Sequence, residues 1–227
     1  MPIPNVPEDV LEKIANECVH IDGLHEKKEE RMVAILTEME TLRKSVSGKQ
    51  MRLKEIITFV TDRIPYTGIT QESYITTDNM LQNFEGVRHY NGVPEAQNVI
   101  QYRKGDILLS NIRPYLKKIW QADRDGGCNP DVLVMRINSK TVESSFIFYQ
   151  LRCDSFFDYI MEDVKGMKMP RGNKEHIEKY ELSVPSLKEQ LKISKRFSDL
   201  NNEYMKLHAE MRKLPELKQS ILDKYIK

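Results

Sequence analysis

ISKRFSDLNNEYMKLHAEMRKL, residues 193–214, sets the architecture of the whole chain. Its apolar side chains, Ile193, Phe197, Leu200, Tyr204, Leu207, Met211 and Leu214, advance by alternating steps of four and three. That 3.5-residue period keeps them all on one narrow seam, the pattern by which one long helix lies along another. Both flanks of the seam are charged, which favours a helix pair over a single amphipathic helix resting on a globular core. Ser186 and Glu189 supply a capping box just ahead of it. Pro215 withdraws a backbone donor and predicts a kink or restart before Leu217, Ile221 and Tyr225.

Such a seam needs a counterpart, and the N-terminal segment offers one. Between Glu8 and Val46, Cys18, Ile21, Met32, Ile35, Met39, Leu42 and Val46 follow the same spacing, with His25 and Lys28 filling the gap in the middle. Pro7, Glu8 and Asp9 suit a helix start, and Gly48 suits its stop. Residues 1–47 carry 6 Lys+Arg against 10 Asp+Glu, whereas 186–227 carry 10 against 6. An acidic and a basic helix with matching heptads predict an antiparallel pair, within one chain or between two copies.

Between the helices the character changes: Gly, Pro and Asn recur at short intervals and the apolar runs shorten to strand length. SYITTDNM, DILLS, LKKIWQA, VLVMRI and YELSVP read as strands, RKGD and DRDGG as turns, and Asp125-Gly126 as a hairpin signal. TVESSFIFYQLRCDSFFDYIMEDV reads as one or two helices. The expected fold is α+β: an N-terminal long helix over 1–48, a globular mixed domain over 49–185 and a C-terminal helix over 186–227.

The formal net charge is only +1, so any basic surface must be local. One local surplus is KGMKMPRGNK, residues 165–174, with four cations and no anion. Its glycines and proline make it a loop, with backbone amides free to meet an anion beside Lys168, Arg171, Asn173 and Lys174. A second cluster, SNIRPYLKKIW, sets Arg113, Lys117 and Lys118 among Asn111, Tyr115 and Trp120, a mixture suited to phosphates and base edges. Together they point to DNA.

Other chemistry is poorly served. The sequence has no phosphate-binding glycine loop, dinucleotide fingerprint, GxSxG elbow or HExxH, and the five histidines fall in separate segments. No metal site is expected. Pro130-Asp131 followed by Asp163-x-Lys165 imitates the metal-dependent nuclease arrangement, but both carboxylates have ordinary capping or surface explanations. A coiled-coil adaptor with a protein-binding domain is the other competing class. Cys18, Cys128 and Cys153 have unrelated spacings, which suits reduced thiols in a cytosol. The start MPIPNVPEDV has neither a basic n-region nor an apolar h-region, and nowhere do about 18 apolar residues run together. A cytoplasmic protein that does not enter the membrane is expected.

YITTDNM, GDILLSNIRPYLKKIW, DGGCNPDVLVMR, KMPRGNKEHI, LSVPSLKEQLKI and LPELKQSIL, in that order, resemble the specificity subunits of type I restriction-modification enzymes. The resemblance extends over nearly all of residues 50–225. It implies a non-catalytic DNA target recognition domain followed by a long spacer helix. The partners implied are double-stranded DNA, a methyltransferase subunit using S-adenosylmethionine and an ATP-dependent restriction subunit, so the chain itself would hold no cofactor. Complete family members carry two recognition domains, so this chain resembles a half-subunit. A homodimer through the long helices would read a symmetric, interrupted site. Helices paired within one chain would leave the other half-site to a different subunit. About 40 helical residues at about 1.5 Å each give roughly 60 Å, so the half-site spacing is expected to be fixed.

Overall fold

The computed structural model describes residues 7–92, 97–165 and 168–225. Its elements run α1 (Glu8–Lys44), β1 (Lys49–Arg52), β2 (Ile57–Phe59), β3 (Arg63–Pro65), β4 (Tyr74–Ile75), β5 (Asn98–Tyr102), β6 (Ile107–Ser110), β7 (Ile119–Gln121), β8 (Gly126–Cys128) and β9 (Val132–Ile137). There follow α2 (Ser144–Leu151), α3 (Asp154–Met161), α4 (Lys174–Ile177), β10 (Glu181–Val184), α5 (Leu187–Met211) and α6 (Leu214–Tyr225). The chain divides into two compact units, Met1–Lys44 with Lys195–Lys227, and Ser45–Ser194. The class is α+β, a mixed domain with long flanking helices.

The helical unit is an antiparallel pair within one chain. Arg196 pairs with Glu38, Arg31 with Glu203 at 2.7 Å, Lys28 with Glu210, and Lys218 with Asp22 at 2.8 Å; the Tyr225 hydroxyl donates to Glu17 at 3.0 Å. As numbers fall along α1 they rise along α5 and α6, which is what an antiparallel register requires. Two of the four ion pairs take their carboxylate from α1, at Glu38 and Asp22, and two from α5, at Glu203 and Glu210. Ile14, Ile21, Ile35 and Met39 are buried on α1, and Phe197, Leu200 and Leu214 on α5 and α6. Tyr204, Leu207 and Met211 are half-buried. Ile193 packs instead against the core of the mixed unit. The seam breaks at Arg212-Lys213, and Pro215 lies in the first turn of α6, where its missing N–H is not needed. The carbonyl of Pro7 opens α1 by accepting from Val10 and Leu11 at 3.0 Å each. Ser186 donates its hydroxyl to Glu189 at 2.8 Å ahead of α5.

In the mixed unit, β2-β9-β6-β7 form one antiparallel sheet, β3-β5-β8-β4 a second, and β1-β10 a two-stranded ribbon. Strand β6 is buried on both faces, which explains its uninterrupted ILLS run. Alternation splits its side chains: Ile107 and Leu109 join Leu133, Met135 and Ile119 in a core closed by Phe146, Phe156, Phe157 and Ile160 of α2 and α3. Leu108 joins Val132, Val134 and Trp120 in a core completed by Ile75, Tyr102 and Cys128 of the second sheet. Beneath this, Asp106 is 4% exposed and accepts from Arg136 through both carboxylate oxygens, at 2.9 and 2.7 Å.

Two sequence expectations are corrected. Asp125-Gly126 is not a hairpin turn: β7 and β8 lie in different sheets, β8 pairing with β5 and, in parallel, with β4. The glycines serve close approach, since a Cβ on Gly126 would stand 2.3 Å from the Ser73 carbonyl oxygen, and one on Gly127 2.3 Å from Val99 Cγ2. SYITTDNM is a strand only at Tyr74–Ile75. The 2%-exposed Asn79 then stops it, accepting from Thr76 N at 2.7 Å and donating to the carbonyls of Tyr74 and Arg88.

Candidate nucleic-acid interface

Two segments more than fifty residues apart meet at one surface of the mixed unit. The end of β6 runs into Asn111, whose carbonyl accepts from Gly172 N at 3.1 Å, while Arg113 N donates to the Pro170 carbonyl at 2.8 Å. Ile112 and Lys165 each form a bridge to Arg171. The loop that carries Lys168, Arg171 and Asn173 is therefore laced by backbone bonds to the turn that carries Arg113, Tyr115 and Lys117. Gly166 and Met167 of this loop lie outside the described residues.

The turn is a single 3₁₀ helix, Pro114–Leu116, flanked by Arg113 and Lys117, both left-handed, with φ of 50° and 52°. Non-glycine residues adopt this conformation only when their surroundings impose it. Here a second left-handed pair, Asn83 and Phe84, grips the turn by donating N–H groups to the Leu116 and Lys117 carbonyls, each at 3.1 Å. Arg152 in turn donates to the Phe84 carbonyl at 3.1 Å. Tyr115 is thereby held 48% exposed on a fixed backbone, with Arg113 two residues before it.

Several of the basic and amide side chains named from the sequence already have partners. Lys117 Nζ is 2.7 Å from Asp154, and Arg171 Nη2 is 3.1 Å from Asp131. Asn173 caps α4 by accepting from Glu175 N at 3.1 Å, and donates to Asp163 at 2.8 Å. Lys174 lies over the Phe59 ring, 5.5 Å from its centre. Lys168 is exposed, without an ion pair among the described residues. Asn111 Oδ1 is buried against Gly172 without a hydrogen-bond partner among the described residues. Next to the turn, Lys118 donates to the Thr77 carbonyl at 2.6 Å, and its pKa is lowered, chiefly by burial.

The two carboxylates that imitate a nuclease pair are each engaged here. Asp131 holds Arg171; Asp163 holds Asn173 and lies 4.0 Å from His176, whose ring stacks on Tyr159. Sequence reasoning missed the anions facing this surface, Asp131 and Asp154, and the Asn83-Phe84 clamp. The NFEG run at 83–86 was the available turn signal for the clamp. Nothing in the sequence joins Asp154 to Lys117, because a helix and a turn distant in the chain make that pair.

A small cationic and aromatic surface on a rigid backbone is the form expected of a nucleic-acid-recognition domain. The family model for the type I restriction modification DNA specificity domain matches residues 47–219, and this chain belongs to that family. It is 31% identical over 109 residues to the Type I restriction enzyme EcoDI specificity subunit of Escherichia coli, a match covering 48% of this chain and 23% of that protein. Its fold is similar to the HsdS subunit of Thermoanaerobacter tengcongensis, with TM-score 0.59 and 15% identity over 96% of this chain and 57% of that one. The type I restriction-modification S subunit of M. genitalium gives TM-score 0.60 at 12% identity, over 97% and 61%. The chain thus spans about three fifths of these solved relatives. Among the described residues no helix is long and apolar enough to cross a membrane.

Proposed function

We propose that this chain is a sequence-specific DNA-binding half-subunit that reads about half of a bipartite site and has no catalytic activity of its own. It directs a methyltransferase subunit, which brings S-adenosylmethionine, and an ATP-dependent restriction subunit to that site. The observation that carries this reading is the lacing of the two cation-bearing segments into one surface, with Tyr115 and Arg113 presented beside Lys168 and Arg171. In this reading, phosphate contacts from the loop fix register and the turn reads base edges.

The α1 seam and the α5–α6 seam face each other within one chain, so the second half-site belongs to a second recognition domain outside this sequence. Replacing Lys168, Arg171 and Lys174 together by alanine tests the loop. Duplex affinity should fall, and the slope of log affinity against log salt should become shallower by about 0.9 for each phosphate that the loop no longer neutralises. An unchanged slope would reject the loop as a phosphate-binding element.

A further inference from the structure

We propose that Asp131 and Asp154 are resident counter-ions that DNA phosphate displaces, and that they limit binding to the wrong sequence. This rests on the DNA-reading function above and concerns how the same surface discriminates.

Two of the named cations are held by carboxylates from other elements. Arg171 is 53% exposed and pairs with Asp131, 36% exposed, in the connection between β8 and β9. Lys117 is 28% exposed and pairs with Asp154, 68% exposed, in the first turn of α3. Neither carboxylate belongs to a cation-bearing segment, so neither pair is a by-product of local sequence. Both are accessible to water and weak enough to exchange.

A phosphate that takes Arg171 or Lys117 competes with the carboxylate already paired there, and a carboxylate that it displaces is left close to the DNA backbone. A random duplex gains only the phosphate contact. A matching duplex adds base-edge contacts, for which a freed carboxylate is itself an acceptor, as toward a cytosine amino group. The counter-ions therefore weaken non-specific binding more than specific binding. They also flatten its salt dependence, because each freed carboxylate takes up a cation as the DNA releases one.

The test uses the full chain with Asp131→Asn, Asp154→Asn and both together, with Glu12→Gln on α1 as an equal charge change away from this surface. Affinity for a labelled random-sequence duplex is measured across a salt series, and circular dichroism melts confirm that each variant is folded. Each single change is expected to tighten random-duplex binding about two- to fivefold. It should also steepen the salt slope by up to about one, with Glu12→Gln at the wild-type value. Asp131→Asn and Asp154→Asn variants that match wild type in affinity and slope would overturn this proposal and leave the DNA-reading function standing. A wild-type chain that retains no duplex, random or selected, would overturn both. An equal rise for Glu12→Gln would reduce the effect to net charge and also overturn it.

Discussion

At the residue scale, side chains that never reach the surface decide whether the candidate interface exists. Asp106 anchors the start of β6 by accepting from Arg136 through both oxygens and from Arg103 N at 2.8 Å. Hydrogen bonding to Asp106 raises the Arg136 pKa. Asp106→Asn is expected to cost roughly 3 kcal/mol in urea unfolding, since Arg136 would keep its charge without a counter-ion. Gly126→Ala should cost about 1–3 kcal/mol, because the added methyl meets backbone at Ser73 and the Tyr102 hydroxyl rather than a yielding side chain. A Gly126→Ala variant of wild-type stability would contradict the close approach. Cys128 is buried, and desolvation pushes its thiol up to about 12, so alkylation near neutral pH should follow unfolding rather than precede it.

At the element scale, legibility followed the local apolar pattern. Ile193 to Leu214 named a helix pair because a coiled-coil seam repeats along the chain, and the opposite net charges of the two helices named the N-terminal segment as its partner; the antiparallel order is fixed by the ion pairs of the fold. The strands DILLS and VLVMRI were readable without a period, as short and nearly continuous apolar runs, the form of a strand buried on both faces. Asp125-Gly126 misled because a glycine that avoids a clash and a glycine that makes a turn look alike in sequence; only the facing strands distinguish them. The interface was half legible: its cations showed as local surpluses, but their meeting rests on backbone bonds between distant residues. The helix pair carries a pH dependence of definite sign. Hydrogen bonds from Arg31 and Lys28 hold Glu203 and Glu210 below the usual carboxylate range. Stability from a depressed carboxylate is present above its unfolded pKa and lost as pH falls through the folded value. Protection of the α1 amides, taken relative to the intrinsic exchange rate at each pH, should therefore fall below about pH 4, with high salt reproducing part of the effect at neutral pH.

At the scale of the whole molecule, one recognition-type unit and one antiparallel helix pair make up a chain that spans 57–61% of solved relatives' length. Because the seam is satisfied within one chain, light scattering should give a monomer near 26.6 kDa. A stable dimer would mean that the helices exchange between copies. Whether the surface joining residues 111–117 to 168–174 reads DNA sequence is decided by selecting bound duplexes from a random pool with the purified chain and sequencing the retained fraction. One short half-site should be enriched, and the enrichment should disappear in the variant without the side chains of Lys168, Arg171 and Lys174. A retained pool with no enriched sequence, or enrichment that survives that variant unchanged, would contradict sequence reading by this surface.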